Sequence, residues 1–177
     1  MDREYVLTGI RDFGESLGNY AEYEEFTDDE EIVLEAVKGN GEDLVYASAR
    51  LRNTKKIVMA AVEQNPMAFK HAEWDMRHDV DVASLAIKKD PRLVSKIDKE
   101  VLNDINFASS LINANMAVTK YLPSKVMTKI NEVNTNNVFE KINSKNSLDT
   151  LSDEEFLYLE SLVAAQRNKR TSDIKKK

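Results

Sequence analysis

The chain is 177 residues long, 42% hydrophobic and 32% charged, with a formal net charge of −6 and no cysteine. That length suits one soluble domain able to bury a core, and the lack of Cys excludes disulfides and thiolate metal sites. No apolar run reaches the ~18 residues of a membrane helix, and the start Met1-Asp2-Arg3-Glu4 lacks the basic and apolar segments of a signal peptide, so the expectation is a cytoplasmic protein with no membrane span.

Charge is unevenly spread. Residues 1–48 carry 14 acidic side chains against Arg3, Arg11 and Lys38, a net of −11, and residues 49–177 sum to +5.

At the N-terminus Val6, Ile10, Phe13, Leu17 and Tyr20 fall at a 4-3-4-3 spacing that predicts one amphipathic helix. It does so although Gly9, Gly14 and Gly18 each cost about 1 kcal/mol relative to Ala in a helix interior. Residues 1–26 are assigned as an acidic capping segment. The run Glu22, Glu24, Glu25, Asp28, Asp29, Glu30, Glu31 follows. The plain reading of the run is a solvated face together with first-turn acids favoured by a helix dipole. The sharper reading makes Glu22, Glu24, Glu25, Asp28 and Asp29 a binding patch for a basic surface, or a mimic of nucleic-acid phosphates.

From residue 27 to 127 the sequence repeats with a period of 25 residues, four times without a gap, through the column Asn40, Asn65, Asp90, Asn115. In each unit apolar residues recur at i, i+1, i+4, i+5, as in Ile32, Val33, Ala36, Val37 and again Ile57, Val58, Ala61, Val62. This is one stripe of a helix and not a strand alternation. Asp29, Thr54, Asp79 and Asp104 stand at the helix starts, where a side-chain acceptor satisfies free N–H groups; the residues just before them, Asp28, Asn53, His78 and Asn103, form a second such column. Asn65-Pro66 and Asp90-Pro91 combine an N-cap with Pro at the first helical position, predicting a second, shorter helix that carries Leu44, Phe69 and Val94. Leu51, Met76, Val101 and Val126 close the units. The expected architecture is an all-α tandem-repeat solenoid with capping helices at both ends.

The unit running from Asp29 through Ala36, Val37, Asn40, Leu44, Tyr46 and Ala47 to Leu51-Arg52 resembles a short tandem helical repeat catalogued only as a domain of unknown function. The resemblance covers about residues 27–102 and departs from the pattern at Lys96 and Ile97. It implies a solenoid and an interaction module, and supplies no activity and no catalytic residue.

Beyond the repeats, residues 128–150 read as an Asn-rich connector with one short helix around Val138–Ile142. Residues 151–168 read as a helix opened by the capping box Ser152-Asp153-Glu154-Glu155, with Leu151 and Phe156 as a hydrophobic staple. Residues 169–177 are a basic tail that solubilises; with no aromatic interleaved for base stacking, direct nucleic-acid binding is not expected.

Chemistry finds little purchase. Gly39-Asn40-Gly41 lacks the continuation of a phosphate loop. His71 and His78 each sit in a column that the repeat explains, and a turn between them argues against a shared metal. No catalytic residue, metal ligand or cofactor is assigned. Trp74, the single Trp, shares a column with Ala49, Lys99 and Ser124; partial burial against the next unit is the plain reading, and it is the first candidate for a partner contact. The function expected is a non-catalytic protein–protein interaction module that inhibits or modulates a cellular partner. The alternative is an acidic inhibitor of a nucleic-acid-binding protein, and an enzyme ranks last.

Overall fold

The computed structural model describes residues 1–145 and Leu157. The chain divides into two compact units, Met1–Val126 and Met127–Lys177. All regular structure among the described residues is helical.

The first unit opens with α1 (Arg3–Phe13). The single N-terminal helix read from the sequence is in fact two elements. Gly14 takes the left-handed φ of 68°, and the N–H groups of Gly14 and Glu15 turn back to the carbonyls of Ile10 and Gly9 at 3.1 Å each. That pair of bonds closes a helix, and glycine adopts its backbone without penalty. The chain resumes as the 3-10 segment η1 (Leu17–Tyr20), capped by Ser16, whose Oγ accepts the Gly18 N–H. The turn carries Leu17 and Tyr20 into the core with Val6 and Ile10, and leaves Phe13 79% exposed.

A short α2 (Glu24–Thr27) precedes the first of four ten-residue helices: α3 (Glu30–Gly39), α5 (Lys55–Gln64), α7 (Val80–Lys89) and α8 (Ile105–Ala114). Each is about 15 Å long. Their starts lie 25 residues apart, and they pack in chain order, α1 on α3, α3 on α5, α5 on α7 and α7 on α8. The stripes Ile32, Val33, Ala36, Val37 and Ile57, Val58, Ala61, Val62 are buried as the periodicity predicts. Asp29, Asp79 and Asp104 accept first-turn N–H groups. Thr54 does not, because its hydroxyl donates instead to the Arg50 carbonyl at 2.9 Å. The column Asp28, Asn53, His78 caps the C-terminal ends of the short helices that come before, not the helix starts that follow.

A six-residue 3-10 helix follows each ten-residue helix: η2 (Gly41–Tyr46), η3 (Pro66–His71), η4 (Pro91–Lys96) and η6 (Met116–Tyr121). Asn40, Asn65, Asp90 and Asn115 cap them, each side chain accepting the N–H two residues on. Six residues between extended flanks are too few for an α-helical ladder to settle, and i→i+3 bonds serve so short a piece. After the first three of these segments come α4 (Ala49–Arg52), α6 (Trp74–Arg77) and η5 (Val101–Asn103). Leu51 and Val126 of the expected closing column are buried, but the 3-10 turn η5 brings Leu102 inward in place of Val101.

Two close approaches fix this packing. A Cβ on Gly41 would land on the Ala61 carbonyl oxygen, so only glycine lets these backbones meet. There Gln64 takes the Gly41 N–H at 2.7 Å and donates to the Gly39 carbonyl at 3.1 Å. Asp43, 2% exposed, accepts from Ser16 Oγ, the Leu17 N–H and Asn40 Nδ2 at 2.9, 2.7 and 2.8 Å, which ties the N-terminal segment to η2.

The last described helix is α9 (Ser124–Lys145). Continuous helix thus stands where the sequence suggested a connector with one short helix, because no Pro or Gly interrupts residues 124–145. The helix assigned to 151–168 and the basic tail 169–177 lie outside the described residues, Leu157 apart.

Candidate functional site

The acidic residues are set by a small aromatic anchor. Phe26 is buried, edge-on to Tyr20 with ring centroids 6.3 Å apart and tilted against Tyr23 at 5.6 Å. With Phe26 inward, the first turn of α2 points Glu24 and Glu25 to solvent. Glu22, Tyr23, Glu24, Glu25, Asp28 and Asp29 together line one open depression. The five carboxylates named from the sequence are therefore neighbours, joined by Tyr23.

They do not share one role. Asp28 accepts the Ser48 hydroxyl and Arg50 Nε at 3.0 Å, and these two bonds, Ser48 first, hold its carboxyl below the ordinary 3.8. Asp29 caps α3 and receives Arg3 Nε at 2.7 Å, which lowers it as well. Arg3 also reaches Glu31 at 2.7 Å. The neighbouring Glu22 carboxylate pushes the Tyr23 phenol up. Glu24 and Glu25 have no ion pair among the described residues and supply fixed negative charge at the mouth of the depression. Such charge attracts basic side chains over roughly 10 Å at moderate salt.

Trp74 lies elsewhere, at the start of α6, 53% exposed. Its Nε1–H donates to Asp98 Oδ2 at 2.6 Å and its ring rests on His78, centroids 4.1 Å apart. His78 Nε2 accepts the Asp98 backbone N–H at 3.2 Å, and its Nδ1 is buried without a hydrogen-bond partner among the described residues. Burial holds this imidazole below its ordinary 6.5, against the pull of the Asp98 carboxylate. Trp74 is thus an ordered aromatic with one edge already engaged. Asp98 is the partner that sequence spacing missed: it sits 24 residues from Trp74, and nothing in its own column marks it.

His71 belongs to a second cluster, in which Glu42 Oε2 receives Lys70 Nζ at 3.0 Å and meets His71 Nε2 at 3.1 Å. Burial raises the Glu42 carboxyl, but these two partners outweigh it and hold it low. Neither imidazole is hydrogen-bonded to a hydroxyl among the described residues, and no group of three His, Cys, Asp or Glu there could hold a metal ion. No described helix is long and apolar enough to cross a membrane.

The segment that contains α3 to α6 carries a family signature. Residues 29–77 match the model of a domain of unknown function, DUF4116. The match opens on the α3 cap Asp29 and ends on Arg77, the last residue of α6, one position before His78. No curated protein and no solved structure matches the chain.

Proposed function

We propose that residues 27–127 are four stacked units of a short helical solenoid and that the protein is a non-catalytic interaction module, working through the surface this stack presents to a protein partner in the cytoplasm. The observation that carries this reading is the order of packing: each ten-residue helix rests on the next in sequence, and each 3-10 segment likewise. Side-chain links join neighbours along the way, as Lys56 to Glu30 and Lys89 to Glu63 at 3.0 and 3.1 Å. Units that bury their apolar faces only against neighbours leave long rows of equivalent positions open, which suits recognition of an extended partner.

The test is retention of protein from cell extract on the immobilised intact chain, followed by rebinding of the retained protein in purified form. A saturable complex is expected, and failure of every retained protein to rebind removes the proposal.

A second reading is favoured by the depression at α2, where Glu22, Glu24 and Glu25 gather beside Asp28 and Asp29. In it the N-terminal end imitates phosphates and occupies a nucleic-acid-binding protein. Since Asp28 and Asp29 already hold Arg50 and Arg3, the working charge is Glu22, Glu24 and Glu25. If the variant with Gln at all three keeps both partner affinity and its salt dependence, this second reading is lost.

A further inference from the structure

In each six-residue 3-10 segment the third and fourth residues face inward for η2, η3 and η4, while the second, fifth and sixth lie toward solvent. The second and fifth eclipse one another, as residues three apart do in this helix type. Because η2 packs on η3, η3 on η4 and η4 on η6, these outward positions form one strip along the first compact unit.

The strip has a distinct chemistry. Across η3, η4 and η6 its outward positions hold Lys70, His71, Arg92, Lys96 and Lys120 and no acid. The single acid of the strip, Glu42 of η2, is engaged by Lys70 and His71. Arg92 folds back on the cap residue Asp90, and Lys120 lies 5.6 Å from the centre of the Tyr121 ring. Apolar surface accompanies the cations, with Tyr46 and Tyr121 at the two ends and Met67 between, each more than 40% exposed. On the ten-residue helices several cations are matched by acids: Lys55 with Asp79 and Asp81, Lys56 with Glu30, Lys89 with Glu63.

We infer that this strip of 3-10 segments is the docking surface and that its occupant is an acidic polypeptide segment bearing apolar side chains. The inference rests on the interaction-module reading and narrows it to one face and one class of partner. Lys96 and Lys120, which make no ion pair among the described residues, attract carboxylates, and the exposed Tyr and Met side chains take the apolar residues set between them. Single-stranded nucleic acid fits less well. A base-stacking platform needs aromatics at successive positions, and here His71 and Lys96 separate the two tyrosines, on a chain whose net charge is −6.

The test measures binding of a labelled peptide of repeating Glu-Glu-Leu triplets to the intact protein by fluorescence anisotropy at low salt, beside a labelled oligo-dT strand. Two charge-matched variants are compared, Lys96→Glu with Lys120→Glu on the strip, and Lys99→Glu with Lys125→Glu at exposed positions off it. All four lysines are exposed, and circular dichroism checks that both variants keep the wild-type fold. The expected result is peptide binding weakened roughly tenfold by the strip variant and less than about twofold by the control. Equal weakening by the two variants overturns the assignment of the surface. So does the absence of peptide binding to the wild type, and tighter binding of oligo-dT overturns the class of partner. In each of these cases a purified partner that still rebinds leaves the module reading standing on another face.

Discussion

The backbone N–H of Asp98 donates to the side chain of His78, with 3.2 Å to Nε2. At the two preceding positions of the 25-residue register the corresponding amides, Ser48 and Glu73, donate to the backbone carbonyls of Thr27 and Arg52 at 2.9 and 3.0 Å. At the next position stands Pro123, which has no N–H to give. One rung of this ladder is therefore made by a titratable side chain, at the joint just beyond the segment that matches the family model.

Removing that rung should loosen the joint locally. His78→Ala deletes the acceptor of the Asp98 amide and the ring beneath Trp74, at an expected cost of about 1–2 kcal/mol. Hydrogen exchange should quicken first at Asp98 and around Trp74, while the amides of Ser48 and Glu73 keep their protection.

The same joint gives a pH dependence with a definite sign. His78 meets Asp98, Arg77 and Asp75 as charged neighbours, and burial holds its pKa below the 6.5 of an unfolded chain. The unfolded state thus binds more protons, and stability rises with pH. The contribution is complete above about pH 6.5 and is lost as pH falls from there through the lower folded value. Denaturant melts at pH 7.5 and pH 5 should show this loss in the wild type and not in His78→Ala. A further loss belongs below the ordinary carboxylate value of 3.8, since Arg3 and Arg92 hold Asp29 and Asp90 under it.

Gly41→Ala places a methyl group against the Ala61 carbonyl and beside Gln64 and Asn65, where backbone has no room to yield. A loss of about 1–3 kcal/mol is expected by chemical denaturation. Gly39→Ala, two residues earlier, meets nothing within 4 Å and should be neutral or stabilising by about 0.5–1 kcal/mol.

Leu17 and Phe13 separate the broken N-terminal helix from a continuous one. With Leu17 fully buried and Phe13 79% exposed, Leu17→Ala should cost about 2–5 kcal/mol and Phe13→Ala under about 0.5 kcal/mol. Equal costs would contradict the turn at Gly14.

Much of the helical order was legible because it repeats. Four copies of the Ile32, Val33, Ala36, Val37 stripe made the ten-residue helices plain, and the Asn40 column marked the caps of the next elements. Whether those elements were α or 3-10 was not legible, since an N-cap and a Pro at the first position suit both. The 4-3-4-3 pattern from Val6 to Tyr20 misled for a related reason: two helices joined by a one-glycine turn can keep their apolar residues in step. At the candidate site, periodicity drew attention to Trp74 but not to Asp98, because its hydrogen bond spans 24 residues and leaves no trace in local spacing. The acidic run was visible as composition. Its division into Asp28 and Asp29, which hold arginines, and Glu24 and Glu25, which do not, required the placement of Arg3 and Arg50.

The most direct measurement of the central claim is a titration of the intact chain with the purified protein it retains from extract, at low and at high salt. The account predicts saturable binding of one partner per chain, with no chemical change in that partner. Absence of saturable binding for every reproducibly retained protein, or turnover of the partner on addition of the chain, would contradict it.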